Sequence, residues 1–211
     1  MIKAIILFIG ITIGIGVALV TGVAKTIGSV AVAGFLVIGA CCILAALFYT
    51  MGKHAYGYRG RGDLFAFLFF GPVPVIGTYF LHIGTLDFRP VLPAIGLGII
   101  STLILNINNM RDIENDKASG KITIASRIGL QNAKKYHALL TVISFLCFLG
   151  YLCLYVSTPR YRYLPLLLFY IPFKILIDIQ PKSGKVLDPY LKRTAIFGFL
   201  LSVVFSLCIN L

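Results

Sequence analysis

Asn108, Asp112 and Asp116 recur every four residues in the segment NNMRDIENDKASGK, which directly follows an apolar run. On a helix this spacing stacks the side chains on one face, one turn above another. Two carboxylates and an amide so arranged offer oxygen ligands to a hard divalent cation. Magnesium commonly takes one or two carboxylates and completes its octahedron with water and substrate phosphate. The spacing therefore points to a metal-bridged diphosphate. Arg111, Lys117, Lys121 and Arg127 supply positive charge nearby, which suits a bound phosphate better than a bare metal. The same residues also read as a solvated, charge-mixed loop held by i,i+4 pairs. Glu114 and Asn115 fall off the shared face and belong to that second reading.

A second polar segment, YTMGKHAYGYRGRGD, runs from Tyr49 to Asp63. Its glycines permit tight turns. Lys53, Arg59 and Arg61 are cationic. Tyr49, Tyr56 and Tyr58 can stack on an aromatic ring or face a developing cation. Tyr and Arg are equally what a membrane interface collects. His54 is a candidate general base; His82 and His137 fall near expected helix ends. The run FAFLFFG, Phe65 to Gly71, reads as packing. The five cysteines lie in apolar runs, away from any His at ligand spacing, and read as small buried hydrophobes.

These segments are set in a very apolar chain. Of 211 residues, 59% are hydrophobic and 12% charged, with a mean hydropathy of +0.95. Soluble domains carry about a quarter charged residues, so the composition specifies an all-α, polytopic transmembrane bundle. A span needs about 20 apolar residues, and about seven stretches qualify, near 2–22, 29–48, 64–84, 90–107, 137–157, 163–178 and 190–211. The net charge of +12 suggests nucleic acid until its distribution is read. With Met1 placed in the cytoplasm, fifteen Lys and Arg fall on that side and four (Lys25, Arg89, Arg160, Arg162) on the other. That is a positive-inside bias. It predicts a multi-pass protein of the cytoplasmic (inner) membrane with both polar loops in the cytoplasm, a lipid bilayer as partner and no nucleic acid. Two polar loops on one side, near 49–63 and 108–135, are expected to fold over one cavity, because irregular polar backbone at membrane depth persists only where it lines one.

The two loops together resemble the UbiA-type intramembrane prenyltransferases. NNMRDIENDKASGKITIASRIG is similar to that family's second Asp-rich motif, in Asn108-Asn109, Arg111-Asp112, Asp116, Gly120-Lys121, Thr123 and Arg127-Ile128-Gly129. Its form is closest to the branch acting on 1,4-dihydroxy-2-naphthoate. YGYRGRGD followed by LFAFLFFGPVPVIGTYF resembles the same branch. The resemblance covers most of residues 45–130 and implies a nine-helix fold around a central cavity, with Mg2+ held between two facing Asp-rich motifs. It gives Asn108, Asp112 and Asp116 the metal, and Asp112, Asp116 and Tyr49 the catalytic role. Asn109, Arg111, Lys121, Lys53, Arg59, Arg61 and Tyr58 fall to substrate binding. The first Asp-rich motif is not found, and Met1 falls near the family's third helix. The expectation is a single prenyltransferase-like domain over 1–211, nine helices minus two, incomplete at its N-terminus relative to the family.

The implied reaction is transfer of a polyprenyl group from its diphosphate to 1,4-dihydroxy-2-naphthoate, with loss of CO2 and pyrophosphate, giving demethylmenaquinone. Three other readings stand beside it. One is a truncated subunit, inactive or dependent on a partner segment that supplies the first Asp-rich motif. Another is a cation or metabolite transporter using the Asn108 cluster; against it, the cluster sits at a helix end rather than mid-span. A third is a CDP-alcohol phosphotransferase, whose opening Asp-Gly and Ala-Arg pattern is missing here.

Overall fold

The computed structural model describes residues 2–50, 56–157 and 160–210. Lys53 and His54 lie outside them. The described residues are mostly helical, with one isolated parallel bridge between Arg59 and Ile122. In chain order the α-helices are α1 (Ile2–Gly22), α2 (Ala24–Ile27), α3 (Ser29–Thr50), α4 (Gly62–Phe70), α5 (Pro72–Ile83), α6 (Val91–Arg111), α7 (Ile113–Ala118), α8 (Ile124–Tyr155), α9 (Leu164–Leu167), α10 (Tyr170–Asp178) and α11 (Asp188–Asn210). They form an all-α, multi-pass membrane bundle. Five segments are long and apolar enough to cross a bilayer: Ser29–Tyr49, Gly62–Ile83, Val91–Arg111, Ile124–Tyr155 and Gly184–Asn210.

Each of the seven expected apolar stretches is helical, with three departures. The stretch near 64–84 breaks at Gly71, whose φ −124° and ψ −95° are not helical and which precedes Pro72. The stretch near 163–178 is divided between α9 and α10, with Pro165 in the first turn of α9. Proline lacks the amide proton that a continuous ladder needs. The stretch expected from 137 begins instead at Ile124. Thr123 is the N-cap: its hydroxyl accepts from the Ser126 amide (3.1 Å) and the Ser126 hydroxyl accepts from the Thr123 amide (2.8 Å). This reciprocal capping box starts the helix thirteen residues early, and Gly129 (φ 79°) then kinks it.

Helix α6 is the axis of the bundle. It packs on α4 and α5 on one side and on α8 and α11 on the other. Toward one end, an aromatic core of Phe148, Phe169, Phe197 and Phe205 locks α8, α9 and α11 together, with Phe148 and Phe205 edge to face at 5.0 Å. Toward the other end, Ile107, Met110, Ile113, Ile175, Ile179, Leu187 and Tyr190 form a second core beneath the Asp-rich segment. Ile113 ties α7 into that core, so the segment after α6 rests on packing and not on solvent alone. Cys147 and Cys208 are buried as expected. Cys41 and Cys153 are instead exposed, and Cys42 is half-buried and lines a cavity between helices. All five thiols are free.

The approach of α4 and α5 to α6 is set by two glycines. A Cβ on Gly71 would meet the Ala94 carbonyl oxygen and Gly98 Cα at 2.5 Å each, and a Cβ on Gly98 would meet the Phe67 carbonyl oxygen at 2.6 Å. The obstacles are backbone, which cannot swing away, so only small residues allow this crossing. Gly98→Val should therefore cost about 1–3 kcal/mol of stability, the usual penalty for overpacking. It would be read as a lowered thermal midpoint in lipid or detergent. Gly150→Ala is the control: its added methyl would meet Leu92 at an ordinary 3.6 Å, and the midpoint should not move.

Candidate functional site

The loop after α3 and the segment after α6 meet at one end of the bundle. The Ile122 amide donates to the Tyr58 carbonyl oxygen (3.0 Å), and the Arg127 guanidinium donates to the Arg59 carbonyl oxygen (3.4 Å). The two polar segments are joined by these contacts beside a cavity. The cavity is about 800 Å3 and opens between α3, α4, α5 and α6. Its wall is largely apolar and includes Tyr49, Phe65, Phe69 and Phe70, with Asn108 at its polar end. The Phe-rich run is thus a cavity wall, where packing alone was expected. Phe65 and Phe69 stack at 5.7 Å along it.

Asn108, Asp112 and Asp116 do not lie on one unbroken helix. α6 ends at Arg111, and Asp112 (φ −101°, ψ 11°) is the hinge to α7. The i→i−4 ladder nonetheless continues across it: the Asp112 amide donates to the Asn108 carbonyl (3.1 Å) and the Asp116 amide to the Asp112 carbonyl (2.8 Å). The three remain one turn apart, but with different partners. Arg111 binds Asp112 with two nitrogens, at 2.8 Å through Nε and 2.6 Å through Nη2. The same Nη2 reaches Asn108 Oδ1 at 2.8 Å, and Nη1 reaches Asp188 at 2.8 Å. This fork holds the Asp112 carboxyl below the usual carboxylate range, against a smaller opposing effect of burial. Asp116 is buried. Its Oδ1 accepts from Lys121 Nζ at 3.1 Å, while its Oδ2 has no hydrogen-bond partner.

The donor set fits a divalent cation bridged to phosphate. An orphaned, buried carboxylate oxygen on Asp116 is costly in isolation, and a hard cation is the ligand such an atom suits. Two carboxylates and one amide leave coordination positions for phosphate oxygens and water. Arg111 and Lys121, already on the acids, are placed to exchange partners when an anion arrives. Among the described residues no group of three or more His, Cys, Asp or Glu that could hold a metal ion exists.

The remaining expected site residues divide. Tyr49 reaches the cavity wall, and Asn109 is buried on α6, its amide donating to Asp63 Oδ1 at 3.4 Å. Tyr58, Arg59 and Arg61 are exposed on the loop and do not line the cavity. Tyr58 and Arg59 serve through backbone atoms, and Arg61 caps α4. The loop fixes its register by main-chain bonds to residues 122 and 127, and this turns those side chains outward. Glu114 is exposed and pairs loosely with Lys117 at 3.9 Å, in keeping with a place off the site. His137, expected at a helix end, is instead fully buried mid-helix, with Nδ1 at 3.1 Å from Asn106 Oδ1. The residue that sequence reasoning missed is Asp63. It is buried, pairs across 46 residues with Asn109, and meets the Tyr136 side chain of α8. An ionisable side chain in the first turn of a helix that is otherwise apolar was the available signal.

Because Arg111 depresses the Asp112 pKa, the pair's contribution to stability is complete above the unfolded-state carboxylate pKa of about 4 and is lost as pH falls through the lower folded value. The thermal midpoint of the wild-type chain should exceed that of Arg111→Gln near neutral pH, with the gap shrinking as pH drops below about 4. A gap independent of pH from 7 to about 3 would remove the ion pair from the account.

Comparisons with known proteins give the chain's relatives. The model of the UbiA prenyltransferase family matches residues 2–187. A 1,4-dihydroxy-2-naphthoate octaprenyltransferase of Haemophilus influenzae is 37% identical over 177 residues, covering 82% of this chain and 56% of that protein. The Escherichia coli protein of the same name is 45% identical over 114 residues, covering 54% of this chain and 37% of its own length. Human UbiA prenyltransferase domain-containing protein 1 is 30% identical over 162 residues, covering 77% of this chain and 46% of that protein. The chain spans about half the length of the curated relatives it matches. No solved structure matches it. The family match runs from the first helix through both polar loops to the turn before α11, and on that ground this chain belongs to the UbiA prenyltransferase family.

Proposed function

We propose that this chain takes part in transfer of a polyprenyl group from polyprenyl diphosphate to 1,4-dihydroxy-2-naphthoate, with release of CO2 and pyrophosphate, as a step toward menaquinone. The observation that carries the reading is a largely apolar cavity whose polar end is Asn108, one turn from Asp112 on the segment that carries both carboxylates. A prenyl diphosphate has that same polarity, an apolar tail on a polyanionic head. The names of the bacterial relatives support the aromatic acceptor.

In this reading Asn108, Asp112 and Asp116 hold Mg2+. Mg2+ held there would supply Lewis-acid stabilisation of the charge on the leaving pyrophosphate. Lys121 and Arg111 turn from the acids toward the phosphates and neutralise the charge that grows on them. The allylic C–O bond breaks, and the tail lies against Phe65, Phe69 and Phe70. Tyr49, at the boundary of cavity and loop, presents its ring face to the allylic cation. The acceptor's ring carbon bearing the carboxylate attacks that cation, forming the new C–C bond, and the carboxylate leaves as CO2. The segments 1–211 act as one prenyltransferase-like unit, with the polar end in the cytoplasm according to the excess of Lys and Arg there.

Membranes containing the chain, given octaprenyl diphosphate and 1,4-dihydroxy-2-naphthoate, should form the prenylated, decarboxylated quinol in a chelator-sensitive manner, restored by Mg2+. Asp116→Ala should lower turnover by about 100-fold or more, as removal of a charge-stabilising group does. Turnover near wild type in that variant would contradict the site assignment.

A further inference from the structure

Arg111 ends α6 and serves acceptors on two separate elements. Its Nε and Nη2 hold Asp112 at 2.8 and 2.6 Å, and the same Nη2 reaches Asn108 Oδ1 at 2.8 Å. Its remaining nitrogen, Nη1, donates to Asp188 Oδ1 at 2.8 Å. One edge of the guanidinium is therefore spent on the Asp-rich segment. The opposite nitrogen is tied to a residue 77 positions along the chain. Asp188 directly follows the stretch that the family model matches.

What flanks Asp188 sets it in place. Leu187 is fully buried and Tyr190 nearly so, both in the core that includes Ile107 and Met110 of α6. Leu191, three residues on, lines the same cavity as Asn108. Asp188 is the first residue of α11, where the unpaired amides of a helix start favour a carboxylate. Its side chain is 54% exposed, and among the described residues Arg111 is its only ion-pair partner.

Asn108 Oδ1 and the Asp112 oxygens are the atoms assigned to a divalent cation, and here they accept from the Nε–Nη2 edge. Like charges a few ångström apart repel, so that edge must leave Asp112 when the site fills. Asp188 stands off the Asp-rich segment and keeps its hold on Nη1 throughout. The freed edge carries two parallel N–H groups, the shape that binds phosphate at two points.

We propose that Asp188 is a positioning residue that holds Arg111 Nη1 while the Nε–Nη2 edge passes from Asp112 to a diphosphate. It keeps the guanidinium at the site, off the carboxylate that the cation needs and out of bulk water. This rests on the prenyl-transfer reading for the diphosphate and the cation. Asp188 touches neither of them and acts only through Arg111.

The test is a titration of Mn2+ with inorganic pyrophosphate into the chain in lipid nanodiscs, read by electron paramagnetic resonance. Asp188→Asn should weaken the joint binding by about fivefold, the upper end of what an exposed ion pair contributes. The sign separates this from a simple charge effect. The Mn2+–pyrophosphate complex is an anion, and removing a nearby carboxylate would by charge alone tighten it. In Arg111→Gln, which lacks the guanidinium, adding Asp188→Asn should change nothing, because the two residues act as one unit. Equal affinities of the single Arg111→Gln and the double variant also report that Asp188→Asn leaves the site folded. Unchanged or tighter binding in Asp188→Asn overturns the proposal and leaves the prenyl-transfer reading standing. A loss of the same size in both backgrounds also overturns it, since Asp188 would then act without Arg111. A wild-type chain that binds no Mn2+ with pyrophosphate overturns the reading and the proposal together.

Discussion

The placement of charge at the end of an apolar bundle constrains everything else here. Asp63, Asp112 and Asp116 sit at or beside helix ends of a chain with little water around most of its surface. Charges there persist only when something answers them. Arg111 answers Asp112 with a two-point fork and Lys121 answers half of Asp116. The answer is incomplete: one oxygen of Asp116 stays buried without a hydrogen-bond partner, while Asp63 meets Asn109 and Tyr136. The helices are arranged to keep those groups where they are. The α6 axis, the core under α7 and the glycine crossing of α4 each fix one of the elements that carry them.

Much of this was legible from residue order. The four-residue spacing of Asn108, Asp112 and Asp116 survived a helix break, because one intervening hinge residue does not alter the rise between neighbouring turns. The pairing of the two polar loops was legible too, since both follow an apolar pass in the same direction. The early start of α8 was available in Thr123 and Ser126, a capping pair three residues apart, but the basic residues that follow masked it. They look like loop, yet they tolerate helix at a membrane edge, where Lys134 reaches the Gln180 carbonyl at 2.7 Å.

What the sequence could not supply was direction and distance across the chain. Tyr58, Arg59 and Arg61 have the right types for a phosphate site, but main-chain bonds turn them outward. Asp63 looked like the tail of a loop and became a buried partner of Asn109. That contact spans 46 residues and depends on a backbone approach that two glycines allow. Local patterns encode which residues share a helix face. They do not encode which faces meet, and the Asp63–Asn109 contact exists only through such a meeting. Family membership is consistent with a largely apolar cavity that has a polar end.

The central claim is that Asn108, Asp112 and Asp116 hold a divalent ion only together with a diphosphate. The most direct measurement is Mn2+ electron paramagnetic resonance of the chain in nanodiscs, with and without inorganic pyrophosphate. The account predicts tight Mn2+ binding only when pyrophosphate is present, with phosphorus hyperfine coupling on the bound ion, and loss of that signal in Asp116→Asn. Mn2+ bound equally well without pyrophosphate, or a phosphorus coupling unchanged in Asp116→Asn, would contradict it.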